Sequence, residues 1–158
     1  MAFKELTLNN FRCFKSTKIE LSPGINFFYG KNGSGKTSLL EAIHLCSSGK
    51  SFKSSNLQAL IAQGEDSFSL KSYDVDKGYI LSVTKEKNKS ISVLINNTKT
   101  TSSRLIREFP STAIHNNTFS FADASPDFRR KILDRALFVS DKSFLENWFA
   151  YYLSLIHI

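Results

Sequence analysis

The chain has 158 residues with a formal net charge of +7, and 41% of its residues are apolar while 22% are charged. These values are typical of one folded globular domain and exclude a disordered or fibrous chain. The two cysteines, Cys13 and Cys46, have no metal-binding spacing and form no disulfide framework, which suits a reducing cytoplasm. No stretch reaches the ~20 apolar residues that span a membrane, so we expect a cytoplasmic protein without a membrane partner.

The first part of the chain predicts strands on either side of a turn. Residues 3–8 and 17–21 alternate polar and apolar side chains, the pattern of half-buried strands. Residues 25–29 are mostly apolar, which predicts a buried central strand. A glycine-rich loop follows directly, and residues 37–46 then have the spacing of an amphipathic helix.

The middle of the chain predicts an antiparallel meander. A short helix is expected at 57–62, followed by three strands separated by short polar turns, at 67–74, 79–85 and 89–95. We then expect a helix at 103–109 and a short inner strand at 111–114.

The last part predicts two helices. Ser125 before Pro126 is a typical helix start, and the apolar spacing continues to about residue 138. A second helix is expected from Ser143.

The glycine-rich loop at 30–37 matches the phosphate-binding pattern G-x-x-x-x-G-K-[ST] in full. Glycines allow the loop to turn its N–H groups towards a phosphate, and the N-terminus of the following helix favours the same charge. The lysine reaches the terminal phosphates and the threonine hydroxyl coordinates Mg²⁺. The candidate residues for ATP are Gly30, Lys31, Asn32, Gly33, Ser34, Gly35, Lys36, Thr37 and Ser38, with Thr37 as the Mg²⁺ ligand.

Four ordered segments resemble the RecF family and its SMC-like relatives. Leu8–Phe14 is similar to L-x-x-F-R-x-[FY], and the P-loop follows at the family's distance. Gly49–Lys53 is similar to G-[KR]-[SA]-F-R, and Ser125–Asp134 to [GS]-P-x-x-R-R-x-F-L-D. The resemblance covers residues 1 to about 152.

The resemblance implies an α/β fold, the ABC/SMC-like P-loop head, with a mixed sheet, antiparallel flanking strands and the start of a helical second lobe. Residues 1–124 would form the ATP-binding lobe and residues 125–152 the start of the helical lobe. Arg12 would lie near the adenine or its ribose. Arg129 and Arg130 would open the helical lobe, either as DNA contacts or as a solvated helix face.

The resemblance also implies a role in DNA repair and recombination. Full-length relatives are weak DNA-dependent ATPases, in which ATP joins two heads around single-stranded DNA or a single-strand/double-strand junction. Together with other recombination mediator proteins, such a protein would support recombinase loading, replication restart and the SOS response.

Elements needed for hydrolysis are missing from residues 38–158. No L-S-x-G-Q signature occurs there, and no hydrophobic strand ends in Asp-Asp or Asp-Glu, the Walker B pattern. We therefore expect a truncated chain. Residues 153–158 read Leu-Ser-Leu-Ile-His-Ile, the translation of the transposase sequencing adapter CTGTCTCTTATACACATC, which indicates a non-native tail.

Two positions depart from the family pattern. Lys53 stands where arginine is usual, and residues 115–117 are His-Asn-Asn where a proline and an acidic residue are common.

The P-loop alone also fits proteins of a different function. A small-molecule kinase has such a loop, although the Ser/Lys-rich segment at 47–56 makes a poor substrate lid. A transporter ATPase and an inactive nucleotide-binding fragment also stay open.

Overall fold

The computed structural model describes residues 3–114, 125–141 and 143–156. Contacts within the chain divide it into two units, Met1–Thr112 and Ala113–Ile158. The predicted border after residue 124 adjoins residues 115–124, which lie outside the described residues, so that border stays a prediction. None of the described helices is both long and apolar enough to cross a membrane.

A six-stranded sheet forms the first unit. Its strands are β1 (Phe3–Phe11), β2 (Phe14–Glu20), β3 (Ser67–Asp74), β4 (Tyr79–Glu86), β5 (Ser92–Ile95) and β6 (Thr98–Lys99). They lie in the order β2-β1-β3-β4-β5-β6, and all five neighbouring pairs are antiparallel. The predicted meander is therefore confirmed, and the short strand β6 extends it.

The helices follow the predicted apolar spacing. They are α1 (Lys36–Ser48), a 3₁₀ helix (Leu57–Leu60), α2 (Ser102–Glu108), α3 (Pro126–Ser140) and α4 (Phe144–Ile156). The 3₁₀ helix is shorter than predicted because the chain turns back to pair with the end of β1. The Leu60 carbonyl accepts the Arg12 N–H at 2.7 Å, and the Ala62 N–H donates to the Asn10 carbonyl at 2.8 Å.

The hydrophobic core lies between α1 and one face of the sheet. Alternate residues of three inner strands, β1, β3 and β4, supply this face: Leu6, Leu8, Phe68, Leu70, Leu81 and Val83. Helix α1 packs on these strands with Ala42 and Leu45, and Leu105 of α2 and Phe109 close one end of the core. This packing fixes the position of α1, whose first two residues, Lys36 and Thr37, are also the last two of the glycine-rich loop.

The predictions of a strand at 25–29 and of another at 111–114 are wrong. Neither segment forms a strand, and Ile25, Phe27 and Tyr29 are 79%, 84% and 94% exposed. A strand buried on both faces needs neighbours on both edges, and in the described part of the chain no strand runs beside these segments. All strand pairs of the described sheet are antiparallel.

Candidate functional site

The glycine-rich loop joins the exposed segment 25–29 to helix α1. Gly33 and Gly35 have φ angles of 82° and 93°, which only glycine adopts without strain. Gly35 is the N-cap of α1 and offers no side chain to the first helical N–H groups. These groups have no intrahelical partners, so the start of α1 can bind an anion.

The lysine of the loop is held over the loop backbone. Lys36 Nζ donates hydrogen bonds to the carbonyl oxygens of Gly30 and Lys31, each at 2.8 Å. A phosphate oxygen is a stronger acceptor for an ammonium group than a carbonyl oxygen, so a bound phosphate can take the place of either carbonyl as the partner of Lys36 Nζ. Gly30 and Lys31 thus contribute to the site by holding the Lys36 ammonium with their carbonyl oxygens.

A cavity of about 700 Å³ brings most of the predicted residues together. Its lining comprises Arg12, Cys13, residues 32–38, Lys53, Ala59 and Ile61. This volume is typical of a cleft for a nucleotide-sized ligand. Arg12, predicted through a separate segment, therefore lies in the same cavity as the loop, and Thr37 and Ser38 lie in its wall.

The turn between β1 and β2 reaches the loop because Gly35 has no side chain. A Cβ atom on Gly35 would lie 2.7 Å from Phe14 Cζ and 2.9 Å from Cys13 Sγ. The turn itself has only two residues, since Phe11 pairs with Phe14 across it. The glycine at this position therefore fixes how closely the hairpin approaches the loop.

Arg12 is held by a buried acidic side chain of α1. Its Nε donates to Glu41 Oε2 at 3.0 Å, and its Nη2 donates to Glu41 Oε1 at 3.1 Å. Its Nη1 donates to the Ala59 carbonyl at 3.1 Å. Glu41 is 0% exposed, whereas the Arg12 side chain is 23% exposed. The guanidinium is thus fixed by Glu41 and Ala59, while part of the Arg12 side chain stays exposed.

Sequence reasoning did not assign Glu41, Cys13 or Lys53 to the site. The signal for Glu41 was available, because it shares a buried helix face with Leu45 and Ser48 at spacings of four and seven. A charged residue on such a face needs a partner. Lys53 stood out only as a departure from a family pattern, and it lies in the cavity wall.

The two cysteines have opposite environments. Cys13 is exposed in the hairpin turn, and Cys46 is buried in the core. Burial raises the pKa of the Cys46 thiol to about 12. Cys46 therefore stays protonated near neutral pH, whereas Cys13 is exposed to reagents in solvent.

The remaining candidates lie in the second unit or outside the described residues. Arg129 and Arg130 are exposed on α3, and Arg130 Nη1 lies 3.4 Å from Asp127 Oδ1. Residues 115–117 and 157–158 are outside the described part of the chain. The backbone of 153–156 continues helix α4.

Comparison with known proteins identifies what the chain resembles. The family described as "AAA domain" matches residues 5–150. The DNA replication and repair protein RecF of Thermoanaerobacter sp. (strain X514) is 38% identical over 155 residues, which cover 96% of this chain and 42% of the relative. The chain therefore spans less than half the length of that relative.

Two solved structures support the same fold. One is described as the recombination mediator protein RecF-ATPrS in the RecFOR pathway, with a TM-score of 0.80 and 28% identity over 99% of this chain and 43% of that one. The other is the SmcHead bound to the C-winged helix domain of ScpA, with a TM-score of 0.67 and 22% identity over 84% of this chain and 50% of that one. The predicted ABC/SMC-like head fold is confirmed.

Proposed function

Because the chain belongs to the AAA domain family and resembles RecF over nearly its whole length, we propose that it is the ATP-binding N-terminal part of a RecF-like DNA replication and repair protein. One observation carries this proposal. Lys36, the residues at the open start of α1 and Arg12 all line one cavity of about 700 Å³.

The residues of the cavity fit ATP with Mg²⁺. The N–H groups of the loop and of the first turn of α1 would surround the phosphates, and Lys36 would exchange its carbonyl partners for phosphate oxygens. The Thr37 hydroxyl, which lines the cavity, would be the protein's ligand to Mg²⁺, and Ser38 would lie beside it. Mg²⁺ would neutralise charge on the phosphates.

ATP binding is tested by replacing the loop lysine. We expect Lys36→Ala to weaken ATP binding by about 2–4 kcal/mol, the range for a charged partner lost from a desolvated site. Lys15→Ala is the matched control, because Lys15 is exposed on β2 and its replacement removes the same charge. Isothermal titration of the full-length protein measures both. An unchanged ATP affinity in Lys36→Ala would show that the loop does not bind nucleotide.

The role of the whole protein follows from the same premise. ATP would be bound between two copies, the P-loop of each head facing a signature motif of the other, a motif that residues 38–158 do not contain. The dimer would hold single-stranded DNA or a single-strand/double-strand junction and would act with other recombination mediator proteins in recombinase loading, replication restart and the SOS response. The site of action would be the cytoplasm.

DNA would be bound through its phosphates, with Arg129 and Arg130 as candidate contacts on α3. Binding of this kind weakens as salt rises and shows little sequence preference. DNA is therefore also titrated into the full-length protein and its Lys36→Ala variant, with and without ATP and at several salt concentrations. ATP-stimulated, salt-sensitive DNA binding that Lys36→Ala abolishes would support a repair ATPase over a kinase or a transporter subunit.

A further inference from the structure

The Glu41 carboxylate is the one fully buried acidic side chain of α1 and lies one turn after Thr37. Both of its oxygens are used. Oε2 accepts from Arg12 Nε at 3.0 Å, while Oε1 accepts from Arg12 Nη2 at 3.1 Å and from the Ser51 hydroxyl. Glu41 is absent from the cavity lining. It therefore acts on a ligand only through its partners.

Arg12 is the partner that reaches the cavity. A planar guanidinium paired through two N–H groups to one carboxylate has little freedom to rotate. Its third bond, to the Ala59 carbonyl at 3.1 Å, fixes it from another direction. Arg12 also lines the cavity, its side chain is 23% exposed, and two of its five N–H groups are not used in these three bonds.

The pairing also changes what Arg12 can recognise. The charge of the guanidinium is compensated at contact distance by the buried carboxylate, so the field that it adds to the cavity is small. The phosphates already have Lys36 and the start of α1. A compensated guanidinium offers directional N–H groups and a planar face, which suit ribose hydroxyls or a base.

We propose that Glu41 is a positioning residue that makes Arg12 a contact for the nucleoside rather than for the phosphates. The inference rests on the proposed function, since it requires ATP in the cavity. It predicts that Glu41 governs the difference in affinity between ATP and a bare phosphate chain.

The test compares ATP with inorganic tripolyphosphate, both with Mg²⁺, in the full-length protein. In Glu41→Gln the amide N–H₂ faces an Arg12 donor where an oxygen stood, so the guanidinium loses its fixed position. We expect ATP to bind about tenfold more weakly, the effect of one charge-assisted hydrogen bond. Tripolyphosphate should stay within about twofold of wild type, because its partners are unchanged.

Two further variants complete the design. Glu5→Gln makes the same chemical change in an exposed pair with Lys18, and it should leave both affinities unchanged. Arg12→Lys keeps the charge beside Glu41 but loses the two-pronged geometry, and it should reproduce the selective loss of ATP. If Glu41→Gln does not fold, Arg12→Lys can still overturn the inference, because an unchanged preference for ATP over tripolyphosphate would mean that Arg12 has no nucleoside contact for Glu41 to position.

The outcomes separate this inference from the proposed function. Selective loss of ATP supports the inference. Equal losses for ATP and tripolyphosphate would mean that Glu41 only keeps the loop folded, and unchanged affinities would mean that Arg12 has no nucleoside contact; either result overturns it. Wild-type protein that binds neither ligand would refute the proposed function itself, before any variant is measured.

Discussion

Replacing Gly35 with alanine tests whether the hairpin turn and the P-loop are in direct contact. Gly33 provides a matched control in the same loop. Both glycines have positive φ, 93° for Gly35 and 82° for Gly33. A Cβ atom on Gly33 meets nothing within 4 Å, whereas one on Gly35 meets Phe14 Cζ at 2.7 Å and Cys13 Sγ at 2.9 Å. The two substitutions thus share backbone strain and differ in steric overlap.

The expected magnitudes follow from these two effects. An alanine at positive φ costs about 1–2 kcal/mol, so in both variants the native loop conformation is destabilised by this amount and is less populated. Overlap with a packed neighbour adds about 1–3 kcal/mol for Gly35→Ala alone. Because ATP binds only the native loop, its apparent affinity should fall by about five- to 150-fold more in Gly35→Ala than in Gly33→Ala.

ATP titration of the two full-length variants measures this difference. A second substitution, Phe14→Leu, removes the atom nearest to the new Cβ. We expect Phe14→Leu to restore part of the affinity of Gly35→Ala and to have no such effect on Gly33→Ala. Equal losses in the two single variants, or no recovery with Phe14→Leu, would refute a direct contact between the turn and the loop.

Further predictions concern the thiols and the exposed apolar segment. At pH 8 iodoacetamide should label Cys13 and leave Cys46 unmodified, because burial raises the pKa of Cys46 to about 12. ATP should slow the labelling of Cys13, which lines the cavity; equal rates for both thiols, or no protection, would contradict the described site. The isolated 158-residue chain should self-associate and bind a hydrophobic dye, since Ile25, Phe27 and Tyr29 are exposed. Monomeric sedimentation with reversible two-state unfolding would contradict this expectation.

Local patterns were enough to predict much of the fold. The meander β3–β5 follows from side chains that alternate between two faces and from short polar turns between them. Helix α1 and the loop before it follow from the glycine, lysine and threonine spacing. The turn before β6 was missed although Asn96 and Asn97, with φ of 48° and 63°, are residues that tolerate this conformation.

Features that depend on distant partners could not be predicted in this way. The apolar run at 25–29 has the composition of a buried strand, but composition does not say which strand lies beside it. The place of Arg12 in the cavity came from a family resemblance, and nothing in its own segment indicated Glu41 or Ala59 as partners. Side-chain networks between segments that are far apart in sequence leave no periodic signal.

The position of β1 within the sheet has a consequence for the order of folding during synthesis. β1 lies between β2 and β3, and its Asn9 pairs with Ser69, a residue 60 positions later. The β1–β2 hairpin and α1 leave the ribosome before β3 and β4 exist, so the surface on which α1 packs is incomplete until Glu86 has emerged. Non-local pairing of this kind is the slow step of folding. Nascent chains therefore contain the P-loop sequence well before they can hold its shape, and nucleotide capture must follow the long-range step.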